Sequence, residues 1–357
     1  MIIRALIVLA AAAPLPAQQA PAPDYHVGVV SEAADVVTWL RPTPAGLVVD
    51  HVVPVGVMPT DNDGPHNLAV APDGRSYYVS LAHGTPFGSL WKLDRNDAVV
   101  GRAQTELFPT TIALTPDGQY AFVANSDFHG DHPRENVLTV VHTPTMNKIT
   151  DLPACDMPHG VKSNRAGTRI YVSCMHGDEI LEYDVATLKL LRRVPTGTGH
   201  SAAGHGGACA PTFVAVSPDD RRLYLACNTG NTLQVWDAAS LKRIGVVATG
   251  KGAYNVEPSP DGKLIAVTNK KDRSVTLVDA ATLKEIARVP TSKPVVHGIA
   301  FSPDSRLAYI SCESVGSDPG AVDVLDLARR KMVASIPVPG QPTGIAVRSL
   351  RPAHSTH

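Results

Sequence analysis

HNLAVAPDG, residues 66–74, decides the fold because the chain repeats it. TTIALTPDG (110–118), TFVAVSPDD (212–220), YNVEPSPDG (254–262) and HGIAFSPDS (297–305) are further copies. HGVKSNRAG (159–167) is a degenerate copy and TGIAV (343–347) a truncated one. The turn aspartates at 73 and 117 stand 44 residues apart, those at 219 and 261 stand 42 apart, and those at 261 and 304 stand 43 apart. Each copy is a short apolar run closed by a Pro-Asp-Gly-type turn, the chemistry of a strand entering a tight turn. A repeat of this length is that of a four-stranded propeller blade.

The residues around each copy complete the blade. A second strand ends at YVSL (78–81), FVAN (122–125), YVSC (171–174), YLAC (224–227), AVTN (266–269) or YISC (309–312). A third strand ends in the Asp that opens DVATLK (184–189), DAASLK (237–242) or DAATLK (279–284), and a fourth follows, as in EIARVPTS (285–292). The N-terminal runs VGVVSE (27–32), DVVTWL (35–40) and LVVDHVV (47–53) lack an inner strand, whereas TGIAV lacks partners. Joined, they make a seventh blade. The expectation is an all-β, seven-bladed propeller over residues 25–350. Its seventh blade is split between about 27–56 and 342–350, and pairing of the chain ends closes the ring and leaves only short strand edges. This pattern resembles the YVTN-repeat β-propellers, the family of exported YncE-like proteins, over nearly the whole chain after its leader. The resemblance implies the fold; the scaffold itself serves many activities.

The chain of 357 residues is 44% apolar and 18% charged, with a formal net charge of −1 and no basic block. That composition excludes nucleic-acid binding through a cationic surface. MIIRALIVLAAAAPLPAQQA opens with one Arg, an apolar run and a small residue, Ala17, at a cleavage point, which reads as a signal peptide over 1–17. No later run is long enough to span a bilayer. A periplasmic or secreted monomer with a short tail at 351–357 is expected. Of five cysteines, Cys155 and Cys209 precede the inner strands of blades three and four. They can bridge to each other or to Cys174 and Cys227, and Cys312 is then the free thiol.

With the strands labelled A to D from axis to rim, the short A–B and C–D turns fall on one face. The B–C and D–A connections fall on the other and include AHGTPFGS (82–89), DFHGDHPREN (127–136), TGTGHSAAGHGGACAP (196–211) and ESVGSDPGA (313–321). Long irregular connections on a rigid scaffold are where binding residues gather. His66, His83, His129, His132, His159, His176, His200, His205 and His297, nine of the fourteen histidines, belong to that face.

The start of strand A, at the rim of the channel, carries His66, Thr110, His159, Thr212, Tyr254, His297 and Thr343 in blades one to seven. Strand B ends beside it in Cys174 and Cys312 in blades three and six, which pairs His159 with Cys174 and His297 with Cys312. Three readings follow. In the first, His66, His159 and His297 converge on copper, zinc or haem iron, with His129, His132, His176, His200, His205, Cys174 and Cys312 as further donors. Asp61 and Asp63 are then supporting partners of His66, and Asp131, Arg134, Tyr254 and Glu313 line the ligand site. DFHGDHPREN is long because it walls that site. No C-x-x-C-H haem attachment motif is present. In the second reading the same face is a metal-free lactonase or lyase, with His159, His176, Asp178, Glu179, His297, Glu313 and Arg134 available for acid–base work. No G-x-S-x-G elbow supports a serine nucleophile. In the third the face is a non-catalytic scaffold for a protein or glycan. A single histidine at such a position is most often just a hydrogen-bonded structural residue, so the leading expectation, ligand or metal-cofactor binding, rests on the cluster. Asp73, Asp117 and Asp261 are turn formers, and DNDGPHN (61–67) lacks the terminal Glu of a calcium loop.

Overall fold

The computed structural model describes residues 24–57, 60–83, 87–126, 136–197, 208–315 and 318–350. The leader, the tail, and His129, Asp131, His132, Arg134, His200 and His205 lie outside the described residues.

Seven four-stranded antiparallel sheets stand in sequence order around an axis. Their inner strands are Pro65–Val70, Pro109–Leu114, Pro158–Ser163, Pro211–Val216, Ala253–Pro258, Val295–Phe301 and Pro342–Ser349. The last is the inner strand of blade seven. It pairs antiparallel with Tyr25–Ser31, setting Val27 opposite Val347 and Gly28 opposite Ala346, so the chain ends close the ring as the repeat predicts.

Turn chemistry punctuates each blade. Ser217, Ser259 and Ser302 each donate a hydroxyl hydrogen bond of 2.6 Å to the aspartate two residues on. Gly74, Gly118 and Gly262 complete their turns at φ of +68°, +67° and +72°, where a side chain would be strained. Asp184, Asp237 and Asp279 accept backbone N–H bonds from residues just downstream, which makes them turn residues.

The core lies between blades. Phe122, Leu138 and Val140 of blade two pack on Val161, Ile170, Val172, Leu181 and Tyr183 of blade three. Trp39 of blade seven meets Tyr77 of blade one edge-on at 5.1 Å, under the Arg348 guanidinium at 4.0 Å. Inner strands come closest at Gly160, Gly298 and Gly344. A Cβ there would sit 2.7 Å from Phe213 Cα, 2.6 Å from Thr343 O and 2.6 Å from Asn67 Cα, all on the next blade. Glycine therefore follows the axial residue in PHG, VHG and PTG because adjacent backbones touch at that level.

Disulfides join Cys155 to Cys174 and Cys209 to Cys227, and Cys312 remains a buried free thiol. Each bridge ties a D–A connection to the end of strand B in the blade that the connection enters.

Candidate functional site

The seven axial positions lie one or two residues inside their strands, one step deeper than the rim expected from sequence. Their side chains divide into two kinds. Thr110 donates to the His159 carbonyl at 3.0 Å, Thr212 to the Tyr254 carbonyl at 2.5 Å, and Thr343 to the Pro65 carbonyl at 3.4 Å. Those hydroxyls tie neighbouring blades together. The other four rings meet one another: His66 with His159 at 6.3 Å and with His297 at 5.5 Å, and Tyr254 with His159 at 5.5 Å and with His297 at 4.6 Å. Blades one, three and six are not adjacent, so His66 can reach His159 and His297 only across the axis. The four rings form a buried layer on the axis, at 8%, 1%, 7% and 2% exposure for His66, His159, Tyr254 and His297.

A charged tier comes from residues at or just past the ends of strands B: Glu32 in blade seven, His83 in blade one, Lys270 in blade five and Glu313 in blade six. Glu32 receives His66 Nδ1–H at 2.8 Å on one oxygen and His83 Nε2–H at 2.8 Å on the other. Burial pushes its carboxyl up, but the charge and hydrogen bonds of His66 and His83 prevail and hold it at about 2. The bond to Glu32 raises His83 in turn. His159 donates Nδ1–H to the Thr212 carbonyl at 2.9 Å and accepts the Tyr254 hydroxyl at Nε2 at 3.1 Å. Burial, then His66 and Lys270, push His159 down to about 3, so it is neutral. Burial drives His297 well below its ordinary value, helped by Lys270, His66 and His159. Glu313 is raised by burial against the pull of Lys270, whose Nζ lies 3.5 Å away, and His297 Nε2 is 3.9 Å from the same oxygen. The Lys270 ammonium also stands 4.3 Å over the Tyr254 ring, and burial together with Glu313 and Glu32 raises that phenol well above its ordinary value.

Two buried atoms of this cluster lack a hydrogen-bond partner among the described residues, His66 Nε2 and His297 Nδ1, while Glu313 Oε1 is held only by its ion pair with Lys270. Buried polar atoms are nearly always satisfied, and each orphan costs roughly 1–3 kcal/mol.

The structure brings His66, His159, His297, Tyr254 and Glu313 together and corrects other expectations. The carboxylate bracing His66 is Glu32, since Asp61 is exposed and Asp63 accepts the Val57 N–H at 2.7 Å within its own connection. Cys174 is bound in a disulfide and offers no thiolate. Cys312 stays a thiol, its ionisation opposed by burial and by Asp323, whose carboxylate is 3.6 Å away. His176 sits half-buried in the B–C turn of blade three. Among the described residues the one trio of His, Cys, Asp or Glu ligand atoms lying within 4.8 Å of one another is Cys155, Cys174 and Glu179, which the disulfide disqualifies. The three axial imidazoles are thus more widely spread, with Tyr254 between His159 and His297. The sequence reading missed Glu32 and Lys270. Looking just past each strand-B end, in VVSE, VTNK and ISCE, reveals them.

The chain is a seven-bladed β-propeller with a polar cluster on its axis. The Cytochrome D1 heme domain family matches residues 259–349, the stretch from blade five to blade seven. Among solved structures, the Pseudomonas aeruginosa periplasmic gluconolactonase PpgL superposes with a TM-score of 0.73 at 21% identity, over 92% of this chain and 99% of that one. The Kuenenia stuttgartiensis hydrazine synthase gives 0.66 at 22%, over 82% and 93%. Dihydro-heme d1 dehydrogenase NirN in complex with DHE gives 0.60 at 18%, over 94% and 78%. At these identities the likeness is one of fold. No helix among the described residues is long and apolar enough to cross a membrane.

Proposed function

We propose that the axial cluster binds a transition-metal centre, with His66 as its first imidazole donor and His159 and His297 beside it. One observation carries this reading. His66 is braced through Nδ1 by an ionised carboxylate, while its Nε2 is buried and has no partner among the described residues. A carboxylate fixing the far nitrogen of an imidazole is the usual support of a metal-bound histidine, because it sets the tautomer and raises the basicity of the donor nitrogen. His159 is braced in the same sense by the Thr212 carbonyl, but its Nε2 holds the Tyr254 hydroxyl and would have to release it to ligate.

The Cytochrome D1 heme domain match brings haem iron into consideration. The nitrogen donors suit iron, but the Phe108 ring at 5.5 Å, together with the rings of His159 and His297, crowds His66. That packing favours an ion over a macrocycle, which would need His66 to turn out of the layer. A bound ion would supply Lewis acidity. Glu32 orients His66, and Lys270 and Glu313 offer a donor and an acceptor to whatever shares the site. Export belongs to the same reading, supported by two disulfides, which persist in oxidising compartments.

The test is metal content of protein exported to a periplasm and purified without a tag or chelator, followed by titration of the stripped protein with Zn(II), Cu(II) and haem. Near-stoichiometric metal is expected, absent in His66→Ala and weakened roughly 10- to 100-fold in Glu32→Gln. A Soret band in place of bound ion would assign haem. No uptake, or uptake unchanged in His66→Ala, would overturn the reading. Lactone hydrolysis by the metal-free protein, lost in Glu313→Gln, would replace it with acid–base chemistry built on the raised Glu313 carboxyl.

A further inference from the structure

The face built by the B–C and D–A connections is electrically divided. Among the described residues of those connections, every lysine and arginine lies in blade five or at the entry to blade six: Lys251, Lys270, Lys271, Arg273 and Lys293. The same connections in blades seven, one, two and three hold carboxylates instead, among them Asp35, Asp61, Glu106, Asp156 and Asp178. In blades five and six the described carboxylates of the connections are Asp272 and Asp318.

Backbone contacts join the five cations into one ridge. The Lys271 N–H donates to the Lys251 carbonyl at 3.1 Å and the Lys270 N–H to the Gly252 carbonyl at 2.8 Å, which ties the entry of blade five to its B–C turn. The Arg273 guanidinium donates to the Ser292 carbonyl at 3.4 Å, next to Lys293. Lys251, Lys271 and Arg273 are exposed, and Lys270 and Lys293 are partly buried. Lys270 leans inward to Glu313 at 3.5 Å. Asp272 turns to Ser274 and Arg288, so the other four cations form no ion pair among the described residues. Like charges gathered this way repel one another unless an anion joins them. An apolar side chain adjoins the ridge. Val295 stands opposite Glu313, so Lys293 and Val315, each two residues beyond, leave the same pair of strand ends, and Val315 is 73% exposed.

We propose that this ridge docks an acidic segment of a partner protein. Its carboxylates pair in turn with Lys251, Lys271, Arg273 and Lys293, and an apolar neighbour covers Val315. Cations spread over the connections of two blades call for several carboxylates along a chain, which one small anion does not supply. A long uniform polyanion such as a nucleic-acid strand would run on from the ridge to the carboxylates of blades seven and one. The opposed sectors of the face also orient a partner of matching polarity before contact. None of the four pairing residues belongs to the proposed metal donors, so this surface stands or falls separately from the metal.

Calorimetric titration of the purified full chain tests it with acetyl-hexaglutamate amide, citrate and a single-stranded hexanucleotide. One equivalent of the peptide is expected to bind at low salt with a Kd of ~0.1–1 mM, the yield of a few exposed ion pairs. Raising salt to ~0.2 M should weaken it about tenfold. Lys251→Glu with Lys271→Glu should weaken the peptide about tenfold or more at low salt. Lys242→Glu with Lys284→Glu makes the same charge change at exposed positions on the opposite face and should leave binding as it was. Lys251→Gln with Lys271→Gln serves if the reversal does not fold, as judged by far-UV circular dichroism. No saturable heat from the peptide, or an equal loss in the variants of both faces, would overturn the proposal. Citrate binding as tightly as the peptide would make the ridge a small-anion site. The hexanucleotide binding more tightly than the peptide, and losing that affinity in the ridge variant, would make it a nucleic-acid surface. Either result would overturn the acidic segment.

Discussion

At the scale of single residues, the axis concentrates groups whose protonation is forced by burial. His159 is neutral until about pH 3, and His297 is also held well below its ordinary value. An unfolded histidine takes its proton near 6.5. Their contribution is thus fully present above about pH 6.5 and declines as pH falls toward the folded values, at ~1.4 kcal/mol per unit for each group. Glu32, a depressed acid, adds a second decline as pH falls from about 4.5 toward 2. His83 is raised and acts in the opposite sense, but it is partly exposed and its effect is screened. Urea unfolding of metal-stripped protein should therefore show stability falling by several kcal/mol between pH 7.5 and 4.5. His159→Asn keeps a donor for the Thr212 carbonyl and removes the titration, so it should recover roughly 2–3 kcal/mol of that fall. An unchanged pH slope in the variant would refute buried neutrality of His159. Part of this cluster was legible beforehand. The axial register of His66, His159, Tyr254 and His297 follows from the repeat, because equivalent positions in a repeat occupy equivalent places around an axis. Their charged partners stand at a repeat position too, just past the strand-B ends, but which carboxylate faces which imidazole is not legible there because it is decided by contacts between blades.

At the scale of elements, short connections were legible and long ones were not. Pro-Asp-Gly and Asp-Ala-Ala-Thr turns carry their geometry in their residues, through the aspartate that accepts successive N–H groups and the glycine in the left-handed region. The D–A connections into blades three and four are fixed differently, each stapled to its own strand B. Cysteine count alone left several pairings open, because only the register of strands shows that Pro158 stands opposite Cys174 and Pro211 opposite Cys227. The bridges close loops of 19 and 18 residues, and each such closure restricts the unfolded chain by ~3 kcal/mol. Replacing Cys155 and Cys174 together with alanine should lower unfolding free energy by about 3 kcal/mol. It should also loosen the entry to the strand that carries His159, seen as faster amide exchange at 155–160 than in blade five, which has no bridge. A loss under ~1 kcal/mol with unchanged exchange would mean that the connection is held by its hydrogen bonds alone, such as the Met157 N–H to Asn136 Oδ1.

At the scale of the whole molecule, everything on the axis depends on the ring being closed. Pro342–Ser349 pairs with Tyr25–Ser31 and is also an inner strand. Thr343 donates to the Pro65 carbonyl, Gly344 packs against the His66 and Asn67 backbone, and a Cβ on Gly298 would meet Thr343 O. Removing this strand leaves the edge of Tyr25–Ser31 unpaired and opens a gap between the blades that carry His66 and His297. Open strand edges recruit other chains. Truncation after Gln341 should therefore yield aggregating protein with a broad, early thermal transition, and any metal uptake through His66 should be lost even though every proposed donor is present. Adding a synthetic peptide of residues 342–350 should restore a single species by size-exclusion chromatography, because the missing strand needs only its backbone ladder and Gly344 to seat. A truncated chain that stayed monodisperse with an unchanged Tm would show that six blades and a three-stranded remnant hold the ring unaided. The distances across the axial layer would then be set by packing between neighbouring blades, and closure would protect an edge without tuning the site.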